Sequence, residues 1–354
     1  MFARLRIPGL LLALILIALA LPQLASLSFF NLANTQITRA VMLPTDAPSR
    51  AALLADADVN LARAKISSTP SRLGLAEARL ALAQNDLPRA LAAFNSVESP
   101  ARDDLIAQFV WGDAAWRAGQ GEAAFAHWRA ANAREYFRQQ MNRAQYAHRW
   151  QDAEDAARKA IGINPEFAEG YYALGNALSQ RAGNDREALA ALDRARALTQ
   201  DKEFLSTIYS RQGEILASQN QLQAALAAFE QARQFAPRDA RPRTDYAVVS
   251  LQADPGARNE SIALLTQVVG DSPWYSAAYI ALAEIADADG EAWLKRGLEK
   301  NPNDASLLFA LGQWYARHNR LAEAKTALLA ARQHETRADL LELIARALAE
   351  LPNP

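Results

Sequence analysis

Four histidines, His127, His148, His318 and His334, are the side chains best suited to acid–base or metal chemistry near neutral pH. None has a second histidine one helical turn away, and the His-Glu-x-x-His pattern that holds zinc on a helix face does not occur. The carboxylate pairs Asp103-Asp104 and Asp152/Asp155 fall where helices are expected to start, so they answer the helix dipole rather than form an acid–base couple. Gly119-Gln120-Gly121 is too short to cradle a phosphate, and no Gly-x-x-x-x-Gly-Lys-Ser/Thr loop exists. Cysteine is absent, which excludes disulfides, thiolate zinc sites, iron–sulfur clusters and thiol catalysis. These residues assemble no catalytic constellation, metal site or cofactor site. The expectation is a protein that is not an enzyme.

The elements that carry these residues are helical. Half of the 354 residues are apolar, aromatic residues are 8%, and alanine pairs such as Ala51-Ala52, Ala114-Ala115, Ala156-Ala157 and Ala330-Ala331 recur along the chain. Alanine is the best helix former, and β-branched runs that would mark strands are almost missing. The reading is all-α. Thirty-eight basic against 39 acidic residues leave a net charge of −1, so no global field draws nucleic acid. Only six of the basic residues are lysine, a bias read as a GC-rich bacterial genome.

At the amino terminus, Arg4 and Arg6 precede an unbroken apolar run from Leu10 to Leu21, and Pro22 and Gln23 then interrupt it. Counting from Ile7 to Phe30 reaches the roughly 20 residues needed to span a bilayer. Ser26 and Ser28 would also suit signal peptidase. The expectation is an uncleaved signal-anchor, with a cleaved signal as the alternative, in residues 1–32. The basic residues would hold the amino terminus in the cytoplasm. The rest would then face outward from a bacterial cytoplasmic membrane, or be secreted after cleavage.

Beyond that segment one pattern repeats: a small residue, a large apolar one four positions on, and a small apolar one three further. It appears as Ala57/Leu61/Ala64, Ala90/Phe94/Val97, Ala124/Trp128/Ala131, Ala153/Ala157/Ala160 and Ala188/Leu192/Ala195. It continues as Ala225/Phe229/Ala232, Ser261/Leu265/Val268, Gly290/Leu294/Gly297 and Ala324/Leu328/Ala331. The first members are spaced 33, 34, 29, 35, 37, 36, 29 and 34 residues apart. Offsets of four and seven put each triplet on one helical stripe. Pro165, Pro237, Pro273 and Pro302 each follow the first member by twelve residues, where proline stops the helix. A preceding helix is marked by Gly112, Gly175, Gly213 or Gly312, as in Tyr171-x-x-Leu174-Gly175-x-x-Leu178. The two 29-residue spacings mark pinched units.

These residues resemble the tetratricopeptide repeat family, whose 34-residue helix–turn–helix unit carries Leu-Gly in its first helix, Ala, Phe and Ala in its second, and a closing proline. The resemblance covers about Ala51 to Ala331. It implies a right-handed α-solenoid in residues 51–336, after a linker or partial first helix at 33–50 and before a capping helix and tail at 337–354. It also implies that the first helices line a concave face that binds a protein or peptide partner. Projected onto that face, the candidates are Asp113, Trp116 and Arg117, then Arg138, Asn142 and Tyr146, then Tyr172, Asn176 and Gln180. Ser210 and Glu214 follow, and then Phe309, Gln313 and Arg317. Ala173 stands where a clamp for a terminal carboxylate would need asparagine, so no such clamp is expected. The leading expectation is a membrane-anchored scaffold in envelope assembly, without nucleic acid and with homo-oligomerisation left open. The alternatives are an extracytoplasmic glycan- or solute-binding module and a cytoplasm-facing regulator of envelope synthesis.

Overall fold

The computed structural model describes residues 6–43, 47–65, 70–97 and 105–351. The chain divides into two compact units, Met1–Glu166 and Phe167–Pro354. In the first lie α1 (Arg6–Val41), α2 (Pro48–Ala64), α3 (Pro70–Ala83), α4 (Leu87–Asn95), α5 (Leu105–Arg117), α6 (Gly121–Ala130), α7 (Arg134–Tyr146) and α8 (Trp150–Ile163). In the second lie α9 (Ala168–Ser179), α10 (Asp185–Ala197), α11 (Lys202–Ser218), α12 (Leu222–Phe235), α13 (Ala240–Ala253) and α14 (Arg258–Asp271). They are followed by α15 (Ser276–Ile285), α16 (Gly290–Lys300), α17 (Ala305–Arg317), α18 (Leu321–His334) and α19 (Ala338–Glu350). Among the described residues there is no strand. Consecutive helices pair as hairpins, α1 with α2 through to α17 with α18, and α19 closes the second unit. Each unit is an all-α solenoid of the kind the tetratricopeptide repeat builds.

The nine triplets are the second helices of these pairs, and every member is buried except Ala131. Ala131, the first residue after α6, is half-buried. The large middle member is a knob whose socket is the glycine of the partner helix. A Cβ added at Gly112 would sit 2.5 Å from the Trp128 ring, and one at Gly175 would sit 2.8 Å from Leu192 Cγ. At Gly213 and Gly312 the clash would be 2.7 Å, with Phe229 and Leu328 respectively. The glycines are therefore there for close approach, against their cost to helix stability.

The turns inside most pairs share one conformation. Asn85, Gly119, His148, Gly183, Asn220 and Asn319 have positive φ, the left-handed cap that Gly and Asn tolerate best. In the first of them Asn85 N–H donates to Leu82 O at 3.0 Å and Asp86 N–H to Ala81 O at 2.8 Å, which satisfies the carbonyls left over at the end of α3. Asn132, between α6 and α7, copies the device: its N–H donates to Arg129 O and Ala133 N–H to Trp128 O. A connection between helix pairs is thereby as tight as one within a pair, and the 29-residue spacing is accommodated there. The second 29-residue spacing falls on α15, only ten residues long and followed by a 3-10 turn at Asp287–Asp289.

The structure corrects the amino-terminal reading. Among the described residues no helix is long and apolar enough to cross a membrane. That removes the expected transmembrane signal-anchor, and with it the placement on a bacterial cytoplasmic membrane with the repeats outside. Arg4 lies outside the described residues. The physical reason is visible from Gln23 onward, where α1 carries Ser26, Ser28, Asn31, Asn34, Thr35, Gln36 and Thr38. Its apolar stripe there, Ala33, Ile37 and Ala40, is buried against Leu54, Ala57 and Leu61 of α2 and Ala76 and Leu80 of α3. Ser26 Oγ donates to Ala64 O at 2.8 Å. The stretch counted toward a membrane span thus ends in a helix committed to its own repeat.

Candidate functional site

In the second unit the first helices bring a polar cluster together. Asp201 and Asp239 cap α11 and α13 by accepting from Phe204 N–H and Arg241 N–H, which fixes where both helices begin. From those starts α11 presents Ser210, Arg211 and Glu214, and α13 presents Arg241, Thr244 and Asp245, each set within one helical turn. Arg211 Nη1 donates to Glu214 Oε2 at 2.5 Å, and its Nη2 donates to Ser179 Oγ of α9 at 2.8 Å. Arg241 Nη1 stands 3.7 Å from the other oxygen of Glu214. One carboxylate therefore bridges two guanidinium groups on neighbouring helices.

Around this bridge sit atoms that the protein does not satisfy. Among the described residues, the buried side-chain nitrogens and oxygens without a hydrogen-bond partner are Ser210 Oγ, Arg211 Nε, Thr244 Oγ1 and Asp245 Oδ2. All four belong to α11 and α13. Each such atom costs about 1–3 kcal/mol relative to a bonded one, and native proteins tolerate few of them. Burial, then the nearby Glu214 carboxylate, push the Asp245 carboxyl up to about 7, with Arg241 opposing. Burial also raises the phenols of Tyr172 and Tyr275. Tyr172 packs edge-on against Phe204 with ring centres 5.5 Å apart.

In the first unit a cavity of about 810 Å³ opens between α1, α3 and α5. Asp113 and Arg117 line it, with Arg117 4.0 Å from Asp113 and donating to Asn85 Oδ1 at 2.6 Å. Arg50 closes the helix ends beneath it, donating to Ala40 O, Leu43 O and Ala83 O. A second cavity of about 230 Å³ adjoins and shares Arg79 and Val110 with the first.

The other expected residues are placed apart from these two sites. Trp116 packs on Phe125 and Trp128, with Lys159 Nζ 5.3 Å from its ring centre, so its face is taken up inside the first unit. Arg138 is exposed and holds Glu135 through two hydrogen bonds of 2.8 Å. Asn142 is half-buried on α7, and Tyr146, at its end, is 86% exposed. Asn176 is half-buried on α9, and Gln180 is exposed at that helix's end. Phe309 packs with Leu328, Leu340 and Ile344 under α19, while Gln313 and Arg317 are exposed on α17. The stretch from Trp116 to Gln180 is divided between the two units.

Sequence reasoning missed Ser179, Arg211, Arg241, Thr244, Asp245 and Tyr275. Counting one repeat back from Ser261 would have found α13, but that helix has no glycine to fix its register. Two of the histidines are taken up in packing. His127 Nδ1 is 2.8 Å from Gln108 Oε1 with its ring stacked on Trp111, and His318 stacks on Trp314. Among the described residues no group of three or more acidic, histidine or cysteine side chains could hold a metal ion. Asp103 and Asp104 lie outside those residues.

No family model matches the chain, and no curated protein matches it. Several solved structures share some likeness. One is a crystal structure of MamA protein, 17% identical, with 49% of this chain covering 94% of that one at a TM-score of 0.38. A second is pilF of Pseudomonas aeruginosa, 14% identical, with 61% and 97% covered at 0.45. A third is YrrB, described as a TPR protein with an unusual peptide-binding site, 21% identical, with 55% and 99% covered at 0.35. At TM-scores this low the likenesses carry no weight, and the fold rests on the helix pairing itself.

Proposed function

We propose that this chain is a non-enzymatic scaffold that binds a segment of a partner protein on the first-helix face of its second unit. The observation that carries the reading is the set of four unsatisfied atoms around the Arg211–Glu214–Arg241 bridge. An extended peptide offers both a carbonyl for Arg211 Nε and an amide N–H for Asp245 Oδ2, so its main chain answers donors and acceptors together. Tyr172, Asn176, Ser210 and Glu214 are the expected contacts on this face, and Gln313 and Arg317 extend it. On this reading the pairs in each unit stack in the right-handed sense of tetratricopeptide repeats.

The test is selection of a random peptide display library on the intact chain, followed by affinity measurement on Arg211→Met and Arg241→Ala. Enriched peptides should bind each variant roughly tenfold more weakly, the loss of about one charge-assisted hydrogen bond. Peptides that bind the variants as well as the parent would overturn the site. A polar solute would satisfy the same atoms. Saturable binding of an oligosaccharide panel, with no peptide enriched, would move the reading there.

A further inference from the structure

The first unit carries a different pattern of polar groups. Along α3 the side chains facing the two cavities are Arg72, Leu75, Ala76, Arg79, Leu82 and Ala83. Arg72 and Arg79 are seven residues apart, two turns and about 10 Å along one helical face. Among the described residues neither has an ion-pair or hydrogen-bond partner, whereas Arg50 and Arg117 on the same walls are engaged. The only carboxylate on the described lining is Asp113, which faces Arg117.

Besides the polar Asn34, Thr38, Gln84 and Asn85, the lining carries large apolar side chains. Phe30, Ile37 and Val41 come from α1, and Ile106 and Val110 come from α5. Met42, at the mouth, is 80% exposed, and Ile106 is 70% exposed. These apolar side chains adjoin the two arginines that are unpaired among the described residues, the combination of apolar and charged surface that a binding groove presents. Their spacing is helical on every wall: Phe30 to Ile37, Leu75 to Leu82, and Ile106 to Val110 each follow one face.

We propose that the groove across α1, α3 and α5 seats an acidic amphipathic helix of a partner protein, with its apolar face in the cavity and its carboxylates on Arg72 and Arg79. A helix lying along α3 repeats with the same pitch as its host, so carboxylates seven residues apart meet both guanidinium groups at once. Its leucine-type side chains fill the two volumes while its polar side stays in water. Charge complementarity selects acid over base, because among the described residues of the lining a lysine-bearing helix would meet two unpaired arginines and no carboxylate but Asp113, which faces Arg117. The inference rests on the scaffold reading only in taking the occupant to be protein.

The probe is a fluorescein-labelled amphipathic helix with leucines on one face and glutamates on the other, titrated into the intact chain and read by anisotropy. Its counterpart with lysine in place of glutamate is titrated alongside. The glutamate helix should bind saturably and the lysine helix at least about tenfold more weakly. In Arg72→Glu/Arg79→Glu the preference should reverse in favour of the lysine helix. That gain of binding reports the site independently of any loss of fold. Arg241→Ala, in the other unit, should leave glutamate-helix binding unchanged. Equal binding of the two helices, or an unaltered preference in the double variant, would overturn the proposal. So would loss of binding in Arg241→Ala alone, which would assign the peptide to the second-unit site and leave the scaffold reading standing. Displacement of the probe by palmitate but not by unlabelled glutamate helix would also sink it, making the groove an acyl-chain site.

Discussion

Asp245→Asn should remove one group's share of the pH dependence of stability. Burial, with Glu214 close by, raises the Asp245 carboxyl from its ordinary value of 3.8 to about 7 in the folded chain. Between about pH 4 and pH 7 the folded protein holds a proton that the unfolded chain has released, so stability must fall as pH rises through that window. The contribution is complete below the unfolded pKa and gone once pH passes the folded one. One pKa unit corresponds to about 1.4 kcal/mol, and moving from pH 5 to pH 8 crosses about two units of the shifted range. The parent should therefore lose about 2–3 kcal/mol from this group between those pH values. Asparagine keeps the shape and one acceptor but cannot ionise. All other titrating groups are common to both proteins and cancel in the difference. Urea unfolding followed by helical circular dichroism at pH 5 and pH 8 measures it. The variant should gain on the parent by about 2 kcal/mol on going to pH 8. A difference that stays constant within about 0.5 kcal/mol would refute the burial argument.

Other substitutions probe the packing. Gly213→Ala places a Cβ 2.7 Å from the buried Phe229 ring. The clash, worth about 1–3 kcal/mol, should outweigh the roughly 1 kcal/mol alanine gains as a helix former and lower the melting temperature. Gly270→Ala meets nothing within 4 Å on α14. It should raise the melting temperature, by up to about 1 kcal/mol of stability. Asn220→Val puts a β-branched residue at φ 58° and should cost about 1–2 kcal/mol, whereas Asn220→Gly should be neutral or stabilising, both read by thermal melting. Asp271→Asn removes the charge that Arg243, itself buried, holds at 2.8 Å from α13. Urea unfolding should show a loss of about 1–3 kcal/mol, because the buried guanidinium is left with a weaker partner.

The helices were legible because burial follows the triplets: a small–large–small stripe has one stable use, packing under a neighbour. The turns were legible where Gly or proline marks them and obscure where Asn132 takes the same left-handed cap without a motif. The amino-terminal reading failed for a physical reason. Apolar run length does not separate a span from a repeat helix whose polar residues begin at Gln23. The site was the least legible part. Ser210 and Glu214 could be projected from Gly213, but Arg241, Thr244 and Asp245 sit on a helix with no glycine to index, and they gain their character from burial. Arg79 looked like any surface arginine. Only the tertiary structure shows which cations already have partners.

The knob-and-glycine contacts have a further consequence, in time rather than in space. Gly112 and Trp128, Gly213 and Phe229, and Gly312 and Leu328 are each sixteen residues apart, and Gly175 and Leu192 seventeen. Each contact closes a short loop inside one hairpin, and none waits for a distant part of the chain. Loops of this length close in well under a microsecond, and low contact order goes with fast folding. Any of these hairpins can therefore serve as a nucleus, with neighbours adding to either side. A chain emerging from the ribosome would assemble pair by pair, in the order in which the pairs are made.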